Sequence, residues 1–302
     1  MRVAAIDCGT NSIRLLIADV AGGGLTDVTR QMEIVRLGEG VDRTGRLSDA
    51  AIARTRKALV GYAAEIEAHD VAKVRMCATS ASRDADNARE FRDMVRGVLG
   101  VDPEVISGDE EARLSFAGAV AGLSAEPPYL IVDIGGGSTE FVTGSTDVDR
   151  AISMDIGCVR MTERHLHGDP PAAAEIDAAE RDIRAAVDVA LAAVPGQEAK
   201  TLVGLAGTVT TVVALAEGLG SYDPSRIHHA RVTYEQVAAV TSEILAMSVA
   251  ERRSLPVMHP GRADVIGGGA LILRIIMERA GQTSVIASEH DILDGIAYKL
   301  VG

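Results

Sequence analysis

Two short stretches of this chain set an acid beside a tight glycine turn. Asp7-Cys-Gly9-Thr10-Asn11-Ser12 and Asp133-Ile-Gly135-Gly136-Gly137-Ser138 each follow an apolar run, read Asp-x-Gly, and place a serine five residues after the aspartate. Glycine lets backbone N–H groups approach an anion with no Cβ in the way. An aspartate at a strand end next to such a turn can hold Mg2+ through water, because Mg2+ dehydrates reluctantly. Gly9, Thr10, Asn11 and Ser12, and Gly135, Gly136, Gly137 and Ser138, are therefore candidate phosphate-binding positions, with Asp7 and Asp133 as candidate metal acids. One such turn is also what an ordinary hairpin needs; its repetition is what points to phosphate. Each copy runs on into a second β-like segment, IRLLIADV or TEFVTG, and the lysine of a GxxxxGKS loop is absent, so the motif is a hairpin rather than a P-loop.

Further residues could serve the same chemistry. Gly204-Leu-Ala-Gly207-Thr208-Val-Thr-Thr211 ends a strand and opens a helix, whose first amides, at Gly207 and Thr208, suit a phosphate or a nucleotide edge. Gly267-Gly-Gly269 lies inside a helical pattern, where three glycines are costly, so close approach of a backbone or a ligand is expected. In Ser107-Gly-Asp-Glu110-Glu111, the spacing of Ser107 and Glu110 is that of a capping box, which gives Glu110 a structural task. Glu111 projects ~100° further round the helix and is free of it. Read locally, Glu111 is a solvated carboxylate favoured by the helix dipole; beside phosphate loops it is a general base. Arg83, in Thr79-Ser-Ala-Ser-Arg83, suits an oxyanion, or is a surface arginine after a helix cap. The pairs His165/His167 and His228/His229 lack matched acid or Cys partners and predict no metal site.

The elements that must position these residues alternate. Strands are expected at 3–6, 14–20, 71–77, 103–106, 129–132, 140–143 and 201–205. Helices are expected at 49–69, 87–99, 110–121, 175–194, 209–218, 234–246 and 264–280. Capping boxes at Thr233–Gln236 and Ser248–Glu251 mark two helix starts. The fold class is α/β. Glu126-Pro127-Pro128 resists helix, and most of the acidic excess falls after it, which divides the chain into domains at 1–123 and 124–302, with a last helix at about 291–301 able to pack back on the first domain.

Of 302 residues, 47% are apolar, enough for a sizeable core; Lys+Arg is 30 against 43 Asp+Glu, a net charge of −13. That balance, with 5 Tyr, 3 Phe and no Trp, argues against nucleic acid as a partner. It is compatible with a small polyanion held by backbone amides and a cation. The apolar N-terminus is broken by Asp7 and Arg14, and no run reaches the ~18 residues a membrane span needs, so no membrane is expected. Three scattered cysteines, Cys8, Cys77 and Cys158, read as reduced core thiols in a cytoplasmic protein.

In this order, DCGTNS, ATSASRDADN, SGDEEA, DIGGGSTE, GCVRMTE, GLAGTVTT and DVIGGGA resemble the exopolyphosphatase / guanosine pentaphosphate phosphohydrolase family, in the superfamily of acetate and sugar kinases and actin, over residues 3 to about 298. The resemblance implies two ribonuclease-H-like (actin-like ATPase) domains facing across an active-site cleft. It implies hydrolysis of a terminal phosphoanhydride, in polyphosphate or pppGpp, with Mg2+ as cofactor and a possible homodimer. It matches Glu111 to the catalytic glutamate, Asp133 and Glu140 to the metal- and water-organising acids, and Arg83 to an arginine at the cleft. Glu111 would then deprotonate water while the turns and Arg83 hold the phosphoryl group. Longer family members carry a further helical C-terminal region; this sequence ends at Gly302, so a short form contacting few phosphate units is expected. Near its end, Asp294 stands in a segment where the family often has an arginine in Leu-Arg-Glu-Gly. Two other functions compete: a nucleotide- or polyphosphate-binding regulator with weak turnover, and a kinase of the same superfamily.

Overall fold

The computed structural model describes residues 1–22 and 24–301. The chain forms two compact units, Met1–Gly118 together with the chain from Asp291 onward, and Ala119–His290. In chain order the first unit contains β1 (Arg2–Cys8), β2 (Ser12–Ala21), β3 (Gly24–Ile34), α1 (Val41–Thr44), α2 (Asp49–Ala68), β4 (Lys73–Ala78), α3 (Ser80–Asp84), α4 (Ala88–Leu99), β5 (Glu104–Val105) and all but the last two residues of α5 (Gly108–Val120). The second contains β6 (Tyr129–Ile134), β7 (Thr139–Gly144), β8 (Val148–Met154), α6 (Cys158–His165), α7 (Ala173–Ala193), β9 (Thr201–Leu205), α8 (Ala206–Ala216), α9 (Pro224–Ile227), β10 (Arg231–Thr233), α10 (Tyr234–Ala246), α11 (Val249–Arg253), α12 (Ile266–Ala280) and β11 (Ser284–Ala287). The last helix, α13 (Ile292–Lys299), returns to the first unit.

Each unit is an α/β fold on one mixed sheet, and the two sheets share a topology. In the first the order is β3-β2-β1-β4-β5, with β3, β2 and β1 antiparallel and β1, β4 and β5 parallel. In the second, β8-β7-β6-β9-β11 repeats that order and sense, and β10 adds an antiparallel edge. The repeat read in the sequence is thus a repeat of the ribonuclease-H-like sheet. The boxes at Thr233–Gln236 and Ser248–Glu251 both form, opening α10 and α11.

Alternation along β1 explains why its sheet is covered on both faces. Ala4 and Ile6 join Ile13, Leu15 and Ile17 under Leu59, Tyr62 and Phe91 of α2 and α4. Val3 and Ala5 face the other way, under Leu114 of α5 and Ile292, Leu293 and Ile296 of α13. Strands buried on both faces read as continuous apolar runs, which is how β1, β6 and β9 are legible. The edge strands β3 and β8, mostly half-buried or exposed, carry no such run, and the sequence pattern missed them, as it missed the short β10 and β11.

The last helix fits because two glycines remove side chains from its crossing with α5. A Cβ at Gly118 would overlap the Asp291 carbonyl, and one at Gly295 would overlap the Leu114 carbonyl. Ion pairs fix the same helix. Asp294, exposed only 2%, takes Arg30 Nη2 at 2.7 Å and caps the helix by accepting the Asp291 N–H at 2.9 Å. The acid in this late segment is therefore a structural partner of an arginine in its own unit. At the start of α5, the Ser107 hydroxyl accepts the Glu110 N–H at 3.2 Å, as the capping spacing predicts. The Glu110 carboxylate does not close the box; it takes Lys299 Nζ at 3.1 Å and Arg75 Nη2 at 3.5 Å, since two cations offer more than one neutral amide.

Two predictions follow from this packing. Gly295→Ala should lower stability by about 1–3 kcal/mol or more through overpacking. Gly97→Ala, in open space within α4, should instead raise stability by about 0.5–1 kcal/mol; thermal shifts of the same sign for both would refute the α5–α13 contact. Lys299 holds the Glu110 carboxyl below its ordinary 4.5, against a smaller opposing effect of burial. A depressed folded pKa stabilises above the unfolded value and loses its effect as pH falls through the folded one. Glu110→Gln should therefore melt below the parent at pH 7 by the equivalent of about 0.2–1 kcal/mol, as a half-exposed pair allows. That gap should close as pH falls below 4.5.

Candidate functional site

In the first unit the candidate residues meet where β1, β4 and β5 end, the edge at which parallel sheets bind ligands. The Gly9–Ser12 turn is closed by the Gly9 N–H donating to the Ser12 carbonyl at 3.0 Å. Its underside is held by the Thr79 N–H on the Cys8 carbonyl (3.1 Å), the Gly38 N–H on the Thr10 carbonyl (2.8 Å), and a 2.8 Å hydroxyl pair between Thr10 and Ser80. Ser80 opens α3, and three residues on Arg83 Nη1 donates to the Ile106 carbonyl at 2.9 Å and to Glu111 Oε2 at 3.3 Å. Glu111 is 8% exposed, so the solvated-carboxylate reading does not describe it. Hydrogen bonds at both ends of α3 thus link it to the site, Thr10 to Ser80 at its start and Arg83 to Glu111 at its end. The Asn11 Oδ1 and Ser82 Oγ atoms, buried on the same edge, have no hydrogen-bond partner, which is the state of a site shaped for a polar ligand.

The second unit repeats the turn. The Gly135 N–H donates to the Ser138 carbonyl at 3.0 Å, the same bond at the same place as in the first unit. The turn's carbonyls face α6: Cys158 N–H donates to Gly135 O at 2.9 Å, and Val159 and Arg160 N–H donate to Gly136 O at 2.9 and 3.1 Å. Gly157 permits this approach, since a Cβ there would overlap Gly136. With their carbonyls turned to the protein, Gly136 and Gly137 donate their own amides to no backbone or side-chain acceptor among the described residues, and the same holds for Thr10 and Asn11. Each turn therefore presents two consecutive amides to an incoming anion.

Beside the second turn, Asp133 on β6 and Glu140 on β7 are directly opposed in register and project to one face. They are 8% and 1% exposed, and Ser153 Oγ on β8 donates to Glu140 Oε1 at 2.7 Å. Among the described residues no cluster of three or more His, Cys, Asp or Glu side chains could hold a metal ion. Two adjacent carboxylates nevertheless fit Mg2+, which binds through one or two acids, waters and substrate phosphates rather than an all-protein cage. The corresponding acid of the first unit has other company. Asp7, 5% exposed, takes Arg14 Nη2 at 2.7 Å and Nε at 3.1 Å. Burial raises its carboxyl above the ordinary value, by more than the Arg14 guanidinium lowers it.

Gly207 and Thr208 open α8 at the end of β9, beside Asp133 through the Asp133–Leu205 register pair. The Arg262 guanidinium lies against Gly207, with Nη1 3.4 Å from Thr211 Oγ1. Gly268 and Gly269 bring α12 against α6 and α8, where a Cβ would crowd the Cys158 carbonyl (3.0 Å) and Cys158 Cβ (3.1 Å) respectively. That cluster is explained by helix packing. Sequence reasoning missed three arginines: Arg14, Arg262, and Arg160, whose Nε donates to the Gly137 carbonyl at 2.7 Å. Arg160 could have been found, since GCVRMTE was already singled out. His165 pairs with the Asp182 carboxylate at 2.9 Å, a partner the spacing did not reveal, and His228 stacks on His229 at 3.7 Å. The three cysteines are buried and free, and burial raises the Cys158 thiol to about 11. Among the described residues no helix is long and apolar enough to cross a membrane.

Residues 16–302 match the Ppx/GppA phosphatase family. The chain is 53% identical to exopolyphosphatase 2 of Mycobacterium tuberculosis over 315 aligned positions, covering 100% of this chain and 99% of that protein. Among solved structures, an exopolyphosphatase-like protein superposes with a TM-score of 0.96 at 44% identity, covering 99% of this chain and 98% of the other. The Ppx/GppA member from Aquifex aeolicus gives 0.85 at 33%, covering 100% and 97%. With the twice-built phosphate turn and the buried Glu111 already in place, these likenesses establish that the chain belongs to the Ppx/GppA phosphatase family.

Proposed function

We propose that this protein is a Mg2+-dependent exopolyphosphatase, which releases the terminal phosphate of inorganic polyphosphate by hydrolysis and accepts the 5′-triphosphate end of pppGpp by the same chemistry. The carrying observation is the buried Glu111 carboxylate 3.3 Å from Arg83 on α3, the helix whose Ser80 bonds Thr10 of the glycine turn. This is where a water could be deprotonated beside a phosphoryl group.

The roles divide by unit. Glu111 accepts a proton from the attacking water as its oxygen bonds to the terminal phosphorus. The bridging P–O bond breaks, and the chain leaves one phosphate shorter. The proton passes on with the released orthophosphate. Arg83 fixes the orientation of the Glu111 carboxylate through its contact with Oε2. The amides of Thr10, Asn11, Gly136 and Gly137 donate to phosphate oxygens. Mg2+ held by Asp133 and Glu140 would offset charge on those oxygens. Arg160 and Arg262 stand at the Gly135–Ser138 turn and the Gly207 helix start, where they add cations for a phosphate held by the second unit. Recognition by amides, a metal and a few arginines suits a chain with a net charge of −13. A cytoplasmic location and a homodimer complete the reading.

Phosphate release tests it. Glu111→Gln should lower kcat on polyphosphate by about 10²–10⁴-fold with little change in melting temperature. Glu110→Gln should keep most of the rate. Inactive Glu110→Gln beside active Glu111→Gln would overturn the assignment. Chelation of divalent metal should abolish turnover, whereas raising monovalent salt several-fold should weaken it only modestly, because the ligand is held at short range by amides rather than by a basic face. Metal-independent release of phosphate would refute the role of Asp133 and Glu140.

A further inference from the structure

The Gly9–Ser12 turn is held from behind by a segment that itself needs holding. Val35 and Arg36, just past β3, both donate their N–H groups to the Asn11 carbonyl, at 3.1 and 2.8 Å. Two residues on, the Gly38 N–H takes the Thr10 carbonyl at 2.8 Å. The approach is close: a Cβ at Gly38 would lie 2.3 Å from Thr10 Cγ2 and 3.0 Å from Ala81 Cβ. Three amides of one short segment thus occupy the carbonyls of the two residues whose own amides are offered to phosphate. Between these contacts Arg36 sits at a φ of 51°, in the left-handed region that disfavours a side chain. Such a backbone persists only where its surroundings over-determine it.

We infer that Arg54, on α2, is a positioning residue for the hydrolysis: it clamps the strained step at Arg36 and so holds the Thr10 and Asn11 amides where phosphate oxygens meet them. The inference rests on the phosphate-binding reading of that turn; what is added is a residue of another element that sets its geometry. Arg54 Nε donates to the Val35 carbonyl at 2.7 Å, and Nη2 donates to the Arg36 carbonyl at 3.2 Å. The same Nη2 reaches Glu39 Oε2 at 2.9 Å. One guanidinium therefore grips the carbonyls of the two residues whose N–H groups grip Asn11. Its donors form a rigid planar fork, which two consecutive carbonyls can fill and a lysine ammonium cannot reproduce. The helix that carries the fork is itself anchored beside the turn. Leu59 and Tyr62 of α2 are buried against the sheet, and Tyr62 Oη donates to the carbonyl of Ile13, the residue after the turn, at 3.0 Å. Arg54 acts through the backbone of residues 35 and 36, and its contribution to the reaction is the placement of the turn's amides.

Hydrogen exchange on the full chain, with no substrate present, tests the clamp apart from turnover. In Arg54→Met the amides of Val35, Arg36 and Gly38 should exchange at least about tenfold faster, while those of residues 3–6 in β1 keep the parent rate. On a short defined polyphosphate kcat/KM should fall by about tenfold or more, since a small misplacement of anchoring groups is amplified in the rate. Arg54→Lys keeps the charge, loses the fork and should fall nearly as far. Glu39→Gln leaves both carbonyl contacts and should stay within about twofold of the parent. Glycine takes a positive φ freely, so in an Arg36→Gly background Arg54→Met should lose only about threefold or less. A general loss of stability would instead speed exchange in β1 and find no relief from glycine at 36. Should Arg36→Gly itself be inactive, the exchange rates of the same pair of variants decide. Parent-like exchange at 35–38 in Arg54→Met, full rescue by lysine, or an equal loss in both backgrounds would each overturn the inference while leaving the proposed hydrolysis intact. Faster exchange with unchanged kcat/KM would remove the first turn from phosphate binding, and this inference with it.

Discussion

The structure depends on how buried carboxylates are partnered out of reach of water. Asp7, Asp133, Glu140, Glu111, Asp291 and Asp294 are each no more than 8% exposed, and a buried charge without a counter-charge is costly. The first unit answers with arginine: Arg14 for Asp7 and Asp291, Arg30 for Asp294, Arg83 for Glu111. In the second unit Glu140 accepts a hydrogen bond from the Ser153 hydroxyl.

Duplication supplied the frame and divergence the division of labour. The same strand order, turn and closing bond appear in both units, so the anion-receiving amides come from backbone geometry and cost no particular side chain. What differs are the residues hung on that frame: Glu111 with Arg83 at the end of one sheet, Asp133 with Glu140 at the other. In the proposed function, proton transfer and charge compensation therefore fall to separate copies of one sheet.

The turns were legible because glycine clusters after apolar runs are local signals, and the central strands because burial on both faces leaves uninterrupted apolar sequence. Glu111 could be separated from Glu110 by helix geometry, although the reason given for Glu110 was half right: its amide is capped by Ser107, but its carboxylate serves Lys299. Arg14 was hidden for a different reason. Its role is set by cross-strand register, which appears only when the two hairpins are laid over one another from their aspartates. Edge strands such as β3 were invisible because half-exposed strands carry mixed residues. Arg30 and Asp294 lie at opposite ends of the chain, and no pattern within either neighbourhood announces the other.

The return of α13 to the first unit bears on how the protein is made. A sheet whose face is closed by Ile292, Leu293 and Ile296 has its apolar side uncovered until those residues emerge from the ribosome. The second unit is continuous in sequence, 119–290, and has all its strands available earlier. Synthesis therefore favours an order in which the unit that begins the chain is the last to be completed, with Val3, Ala5 and Leu16 waiting for the final helix. A weakened α5–α13 crossing would therefore be felt during translation as well as in the stability of the finished fold.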